Sequence, residues 1–149
     1  MATLKERIQS ELHDALRAHD ETRKTALRML TAAVRNAEIE ARHDLDDDGV
    51  MAVVQKQVKQ RRESIVEFRK GSREDLAAKE EAEMAILEVY LPQQAERSEI
   101  EAAARKIIAE TGASGPREIG KVMPLLVKQF GARADGRTIS DVVRELLGS

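Results

Sequence analysis

Apolar residues stand one helical turn apart along almost the whole chain, and this spacing limits what it can fold into. Leu4, Ile8, Leu12 and Leu16 form an i, i+4 stripe, and Leu27, Leu30, Val34 and Ala37 form a second. Val50, Val54, Val58, Ile65 and Phe68 form a third, and Leu76, Met84, Leu87 and Leu91 a fourth around a polar Lys79-Glu80-Glu81. A period near 3.6 puts such residues on one side of a helix, whereas a strand would alternate at every second residue. No segment alternates convincingly, so the expectation is an all-α fold.

The core of such a fold must be aliphatic, because Phe68, Tyr90 and Phe130 are the only aromatics. Breaks are expected near His43–Asp48 and at Gly71-Ser72. Pro92 ends the first half, since the residue before a proline is pushed out of the α region. Three shorter stripes follow. Ile100, Ala103, Ala104, Ile107 and Ile108 predict a helix capped by Ser98 and stopped at Thr111-Gly112. Ile119, Val122, Met123, Leu126 and Phe130 predict the next, closed by Gly131, and Ile139, Val142, Val143, Leu146 and Leu147 the last. Pro124 implies that the sixth helix either starts late or is kinked there. The organisation read from this is an N-terminal helical bundle, 1–91, and a small three-helix domain, 92–149, hinged near Leu91–Pro92.

Composition excludes several chemistries. With no cysteine there is no disulfide, no thiolate nucleophile and no Cys-based metal site. The lack of cysteine, of an apolar leader and of any run approaching ~18 apolar residues makes a cytoplasmic protein away from membranes the expectation. Residues 1–91 hold 16 basic and 19 acidic side chains and residues 92–149 hold 9 and 8, within a net charge of −2. The whole is no attractor for DNA, and only the C-terminal part leans basic.

Candidate sites are few. Asp44, Asp46, Asp48 and Gly49 match the opening of an EF-hand loop, but its twelfth position is Gln55 rather than a bidentate glutamate. Capping of the next helix is the better reading of these acids. His13, His19 and His43 have no metal-binding spacing. No phosphate-binding glycine loop and no nucleophile elbow occur, so neither cofactor nor metal is expected. Lys56, Lys59, Arg61 and Arg62 form a basic cluster on the third helix, diluted by Glu63 and Glu67 and read as a solvated face. Arg117, Lys121 and Lys128 share an outer face of the sixth helix, and Arg137 and Arg144 one of the seventh with Asp141 between them, which on composition alone reads as an ordinary charged surface. With so few aromatics, any RNA bound there is read by backbone and shape rather than by base stacking. Gly120, Gly131 and Gly136 are expected to allow tight turns and close helix approach, and so to bring the two basic faces together.

Tyr90-Leu91-Pro92, Gly120-Lys121-Val122-Met123 and Ala134-Asp135-Gly136, with Leu27-Arg28-Met29-Leu30 and Lys59-Gln60-Arg61-Arg62-Glu63-Ser64, resemble the GatB/YqeY family over nearly the whole chain. The resemblance implies two helical domains, with Pro92, Gly120, Met123, Gly131, Asp135 and Gly136 as structural motif positions. It also implies kinship with the tRNA-contacting tail of the GatB subunit of the GatCAB amidotransferase. That kinship links the chain to carbon–nitrogen ligase activity with glutamine as amido-N-donor, although no catalytic residue is recognisable. The resulting expectation is a non-catalytic accessory that binds tRNA or amidotransferase subunits, with Lys121, Lys128, Arg137 and Arg144 as the RNA-binding candidates. Membership of a ligase complex and a protein-interaction module without RNA are the alternatives.

Overall fold

The computed structural model of the chain describes residues 2–148. Among the described residues there are seven α-helices and no strand: α1 Leu4–Arg17, α2 Glu21–Ala41, α3 Asp47–Lys70, α4 Glu74–Glu88, α5 Arg97–Thr111, α6 Ile119–Phe130 and α7 Gly136–Leu147. Short 3-10 turns cover Pro116–Glu118 and Gly131–Arg133. The helices fall into two compact units, Met1–Leu91 and Pro92–Ser149.

Local chemistry sets the helix ends of the N-terminal unit. The first N–H groups of a helix lack intrahelical partners, and short polar side chains can supply them. Thr3 accepts from the Glu6 N–H at 3.1 Å, Asp20 from Arg23 at 3.1 Å and Asp46 from Gly49 at 2.8 Å. The acidic loop is thus a capping segment, and Asp47 also accepts from the Leu4 N–H at 2.9 Å, tying α3 to the start of α1. A Cβ at Gly49 would lie 3.1 Å from Leu45, so this glycine lets the loop pack against the first turn of α3. Between α3 and α4 the left-handed residue is Ser72, with φ of 58°, rather than Gly71. Helix α4 stops at Glu88, short of the expected Leu91, and Tyr90 and Leu91 pack against the core from the turn that follows. That core is Ile8, Ala26, Leu27, Leu30, Val34, Val50, Val54, Val58, Leu87 and Tyr90. Each fully buried Leu, Ile or Val is worth roughly 1.5–3 kcal/mol.

In the C-terminal unit α5, α6 and α7 enclose Ile100, Ala104, Val122, Leu126, Phe130, Ile139, Val142 and Val143. The segment after Pro92 is stapled to the Gly131–Arg133 turn. The Ala95 N–H donates to the Arg133 carbonyl at 2.8 Å, Gln94 donates to the Ala132 carbonyl at 3.0 Å, and Arg133 donates to the Gln93 carbonyl at 3.2 Å. Two expected helix starts need correction. The residue that precedes α5 is Glu96, and Ser98 lies inside the first turn, where its hydroxyl cannot act as the cap. Helix α6 begins at Ile119, so Arg117 belongs to the preceding 3-10 turn and not to the helix. Pro124 then sits inside α6 and removes the N–H that would bond the Gly120 carbonyl, a loss of about 3 kcal/mol relative to alanine. Asp135 caps α7, accepting from the Thr138 N–H at 2.7 Å.

Candidate nucleic-acid interface

Helices α6 and α7 face one another through their apolar sides, Val122, Leu126 and Phe130 on one and Ile139, Val142 and Val143 on the other. Their opposite sides are therefore wet. Lys121 and Lys128 are both exposed on α6, and Arg137 and Arg144 are both exposed on α7. Seven residues make nearly two turns, so each pair lies on one face with about 10.5 Å between its members along the axis. Lys121 lies 3.6 Å from Glu118. Lys128, Arg137 and Arg144 have no hydrogen-bond or ion-pair partner among the described residues. Many basic residues elsewhere are engaged: Arg97 with Glu101 at 3.0 Å and with Glu145, Arg133 with Glu99 at 2.9 Å, and Arg69 with Glu74 at 3.2 Å and with Glu81.

Of the motif glycines, Gly131 makes the expected turn, while Gly120 and Gly136 do not bring helices closer. Only Gly131 has a left-handed backbone, with φ of 54°. Nothing lies within 4 Å of where a Cβ would stand at Gly120 or Gly136, so neither lets a second helix approach more closely. Gly131 closes α6 and Asp135 opens α7, Met123 packs half-buried against the C-terminal core, and Pro92 begins the second unit. Beside the lysines, α6 also exposes Pro124, Leu125 (48%) and Val127 (46%), an apolar strip that spacing alone does not reveal.

The basic cluster of α3 also needs correction. Arg61 is 5% exposed, not part of a solvated face. Its Nη1 donates to Glu80 at 3.0 Å and to Glu83 at 2.5 Å, and Glu83 is buried too. Glu80, read from sequence as part of a wet middle, thus turns inward toward α3. A signal existed: Val54, Val58, Arg61 and Ile65 continue one helical stripe, and Arg61 fills the turn the apolar pattern skips. At the other end of the bundle Lys5 donates to Glu38 at 2.7 Å, and the Leu45 N–H donates to the same carboxylate at 2.8 Å. These bonds, the lysine's foremost, hold the Glu38 carboxyl below its usual pKa. The cleft beside them, between α1 and α2, measures about 210 Å³ and is smaller than the ~300 Å³ at which ligand pockets begin. Among the described residues no cluster of acids and histidines could hold a metal ion, and no helix is long and apolar enough to cross a membrane.

The family model described as Yqey-like protein matches residues 5–147. Three curated relatives carry the name "Altered inheritance of mitochondria protein 41, mitochondrial". The one from Pyrenophora tritici-repentis is 31% identical over 96% of this chain and 80% of its own length. That from Kluyveromyces lactis is 35% identical over 89% of this chain and 69% of its own length. That from Lachancea thermotolerans is 37% identical over 73% of this chain, which spans 60% of that relative. The mitochondrial names of these relatives overturn the cytoplasmic expectation. The absence of cysteine, on which it leaned, suits any reducing compartment.

Proposed function

The chain belongs to the YqeY-like family, and on that premise we propose that it is a non-catalytic helical accessory whose C-terminal unit holds the phosphate backbone of a folded RNA, tRNA being the expected class. One observation carries the reading. Lys121 with Lys128, and Arg137 with Arg144, form two exposed cationic pairs turned away from the core, and three of the four have no partner among the described residues. Cations left in water at fixed spacing suit phosphates, whose contact releases condensed counterions. The test is a titration with tRNA at rising salt. About four phosphate contacts predict a loss of roughly a hundredfold in affinity between 50 and 200 mM salt. Replacing all four with glutamate should abolish binding while helicity and melting stay near wild type, since each position is exposed. Unchanged affinity in that variant would move the contact elsewhere, first to the exposed Lys56, Lys59 and Arg62 of α3.

A second reading is favoured by Pro124, Leu125 and Val127. An apolar strip rimmed by Lys121 and Lys128 suits an acidic protein surface, such as a subunit of a tRNA amidotransferase. Co-purification that survives RNase, together with no tRNA affinity at low salt, would select it.

A further inference from the structure

Two sequence strings that the RNA reading leaves unused meet inside the N-terminal unit. One brings Met29 on α2 and the other Arg61 on α3. The Arg61 guanidinium is buried, and both of its carboxylate partners, Glu80 and Glu83, bond to Nη1. Nη2 donates to the Met29 sulfur at 3.4 Å, and Nε has no hydrogen-bond partner in the protein. A guanidinium carries five N–H donors in a planar fork, and a thioether is a weak acceptor. The Nε–Nη2 edge thus faces only a weak partner although it lies in the interior. Two carboxylates already face this one cation, so the edge favours a neutral oxygen rather than another anion. Met29 is 51% exposed as a residue and its sulfur contact with Arg61 is partly buried, so an oxidant reaches it more readily than Met51, Met84 or Met123, which are half-buried.

We propose that Met29 is an oxidation site whose sulfoxide is captured by Arg61. The oxidant class is a peroxide. The Met29 sulfur attacks one peroxide oxygen, an S–O bond forms and the O–O bond breaks. Proton transfer leaves a neutral sulfoxide and, from hydrogen peroxide, water. Sulfur is oxidised by two electrons and the peroxide reduced by two. In an apolar core such an oxygen would be stranded. Here it lies beside Nη2 and receives a charge-assisted hydrogen bond where a weak one stood.

The experiment treats the full chain with graded hydrogen peroxide and maps the oxidised peptides by mass spectrometry. Unfolding of the N-terminal unit is followed through Tyr90, the only tyrosine in a chain without tryptophan. Met29 should gain oxygen before the other internal methionines. The melting midpoint should then rise by about 4 °C or more, the shift expected of one added bond to a charged donor in a unit of this size. Met29→Gln, which offers a neutral carbonyl at similar reach, should melt above Met29→Leu. Earlier oxidation of another methionine, a midpoint that stays level or falls, or a glutamine variant no more stable than the leucine one would each overturn the proposal.

Discussion

Tyr90 closes the N-terminal unit from the turn after α4. Its ring is buried, its hydroxyl donates to Glu11, and the Arg7 guanidinium lies 5.0 Å above the ring centre. Burial, and then the bond to Glu11, raise the phenol's pKa above its ordinary value. The folded chain therefore keeps this proton more tightly than the unfolded chain. The stabilisation is complete below the unfolded value near 10 and is lost as pH climbs above it. Denaturant titrations should show stability falling from about pH 10 upward, with part of that fall absent in Tyr90→Phe. At neutral pH the same substitution should cost about 0.5–1.5 kcal/mol, because Arg7 still satisfies Glu11 at 3.2 Å. An identical alkaline decline in both proteins would show that the phenol is not responsible. Residues like this are hard to read from sequence. Pro92 marked the end of the unit, but nothing in the sequence singled out Tyr90 as its latch, whose partner stands 79 positions away. Arg61 misled for the opposite reason: its type points to the surface, while its place on the Val54–Val58–Ile65 stripe points inward, and the place decided.

At the scale of the element, periodicity made the seven helices legible and left their ends uncertain. The cap of α3 was readable in the acidic run that ends the loop, at Asp46, whereas Asp135, the cap of α7, entered only as a motif position. At α5 no side chain caps the first turn, and a preference for serine could only mislead. Glycines show the same limit, because their role depends on φ, which the sequence does not print. Gly120 has open space around it and Gly131 has φ of 54° with ψ of −126°. Gly120→Ala should therefore stabilise the chain by about 0.5–1 kcal/mol through a stiffer unfolded state and better helix propensity. Gly131→Ala should destabilise it by about 1–3 kcal/mol, since alanine is strained in that region. Urea unfolding of both variants checks the signs, and a shared sign would break the argument. The candidate site was legible at this scale only as spacing. The i, i+7 pairs of α6 and α7 could be counted off the chain, but the apolar strip beside Lys121 became visible only with exposure.

Among the described residues there are two apolar clusters, and each draws its buried residues from one unit alone. We infer that each unit folds on its own, Pro92 marking the division. Residues 92–149, made separately, should keep helical circular dichroism and a cooperative melt, though a weak one, because a unit of 58 residues buries only about 60% of its surface. A fragment without helix would show that its fold depends on the first ninety residues. Most contacts within the bundle join neighbouring helices and can form early. The Tyr90–Glu11 bond is different, for it ties the first helix to the last turn of its unit. On a ribosome, α1 is made before the rest of the bundle and waits until Tyr90 has emerged before this bond can form. The bundle is therefore sealed by almost the last of its residues to be synthesised, and a nascent chain halted between Asp47 and Tyr90 holds α1 through Lys5–Glu38 and Leu4–Asp47 but not yet to the end of its unit.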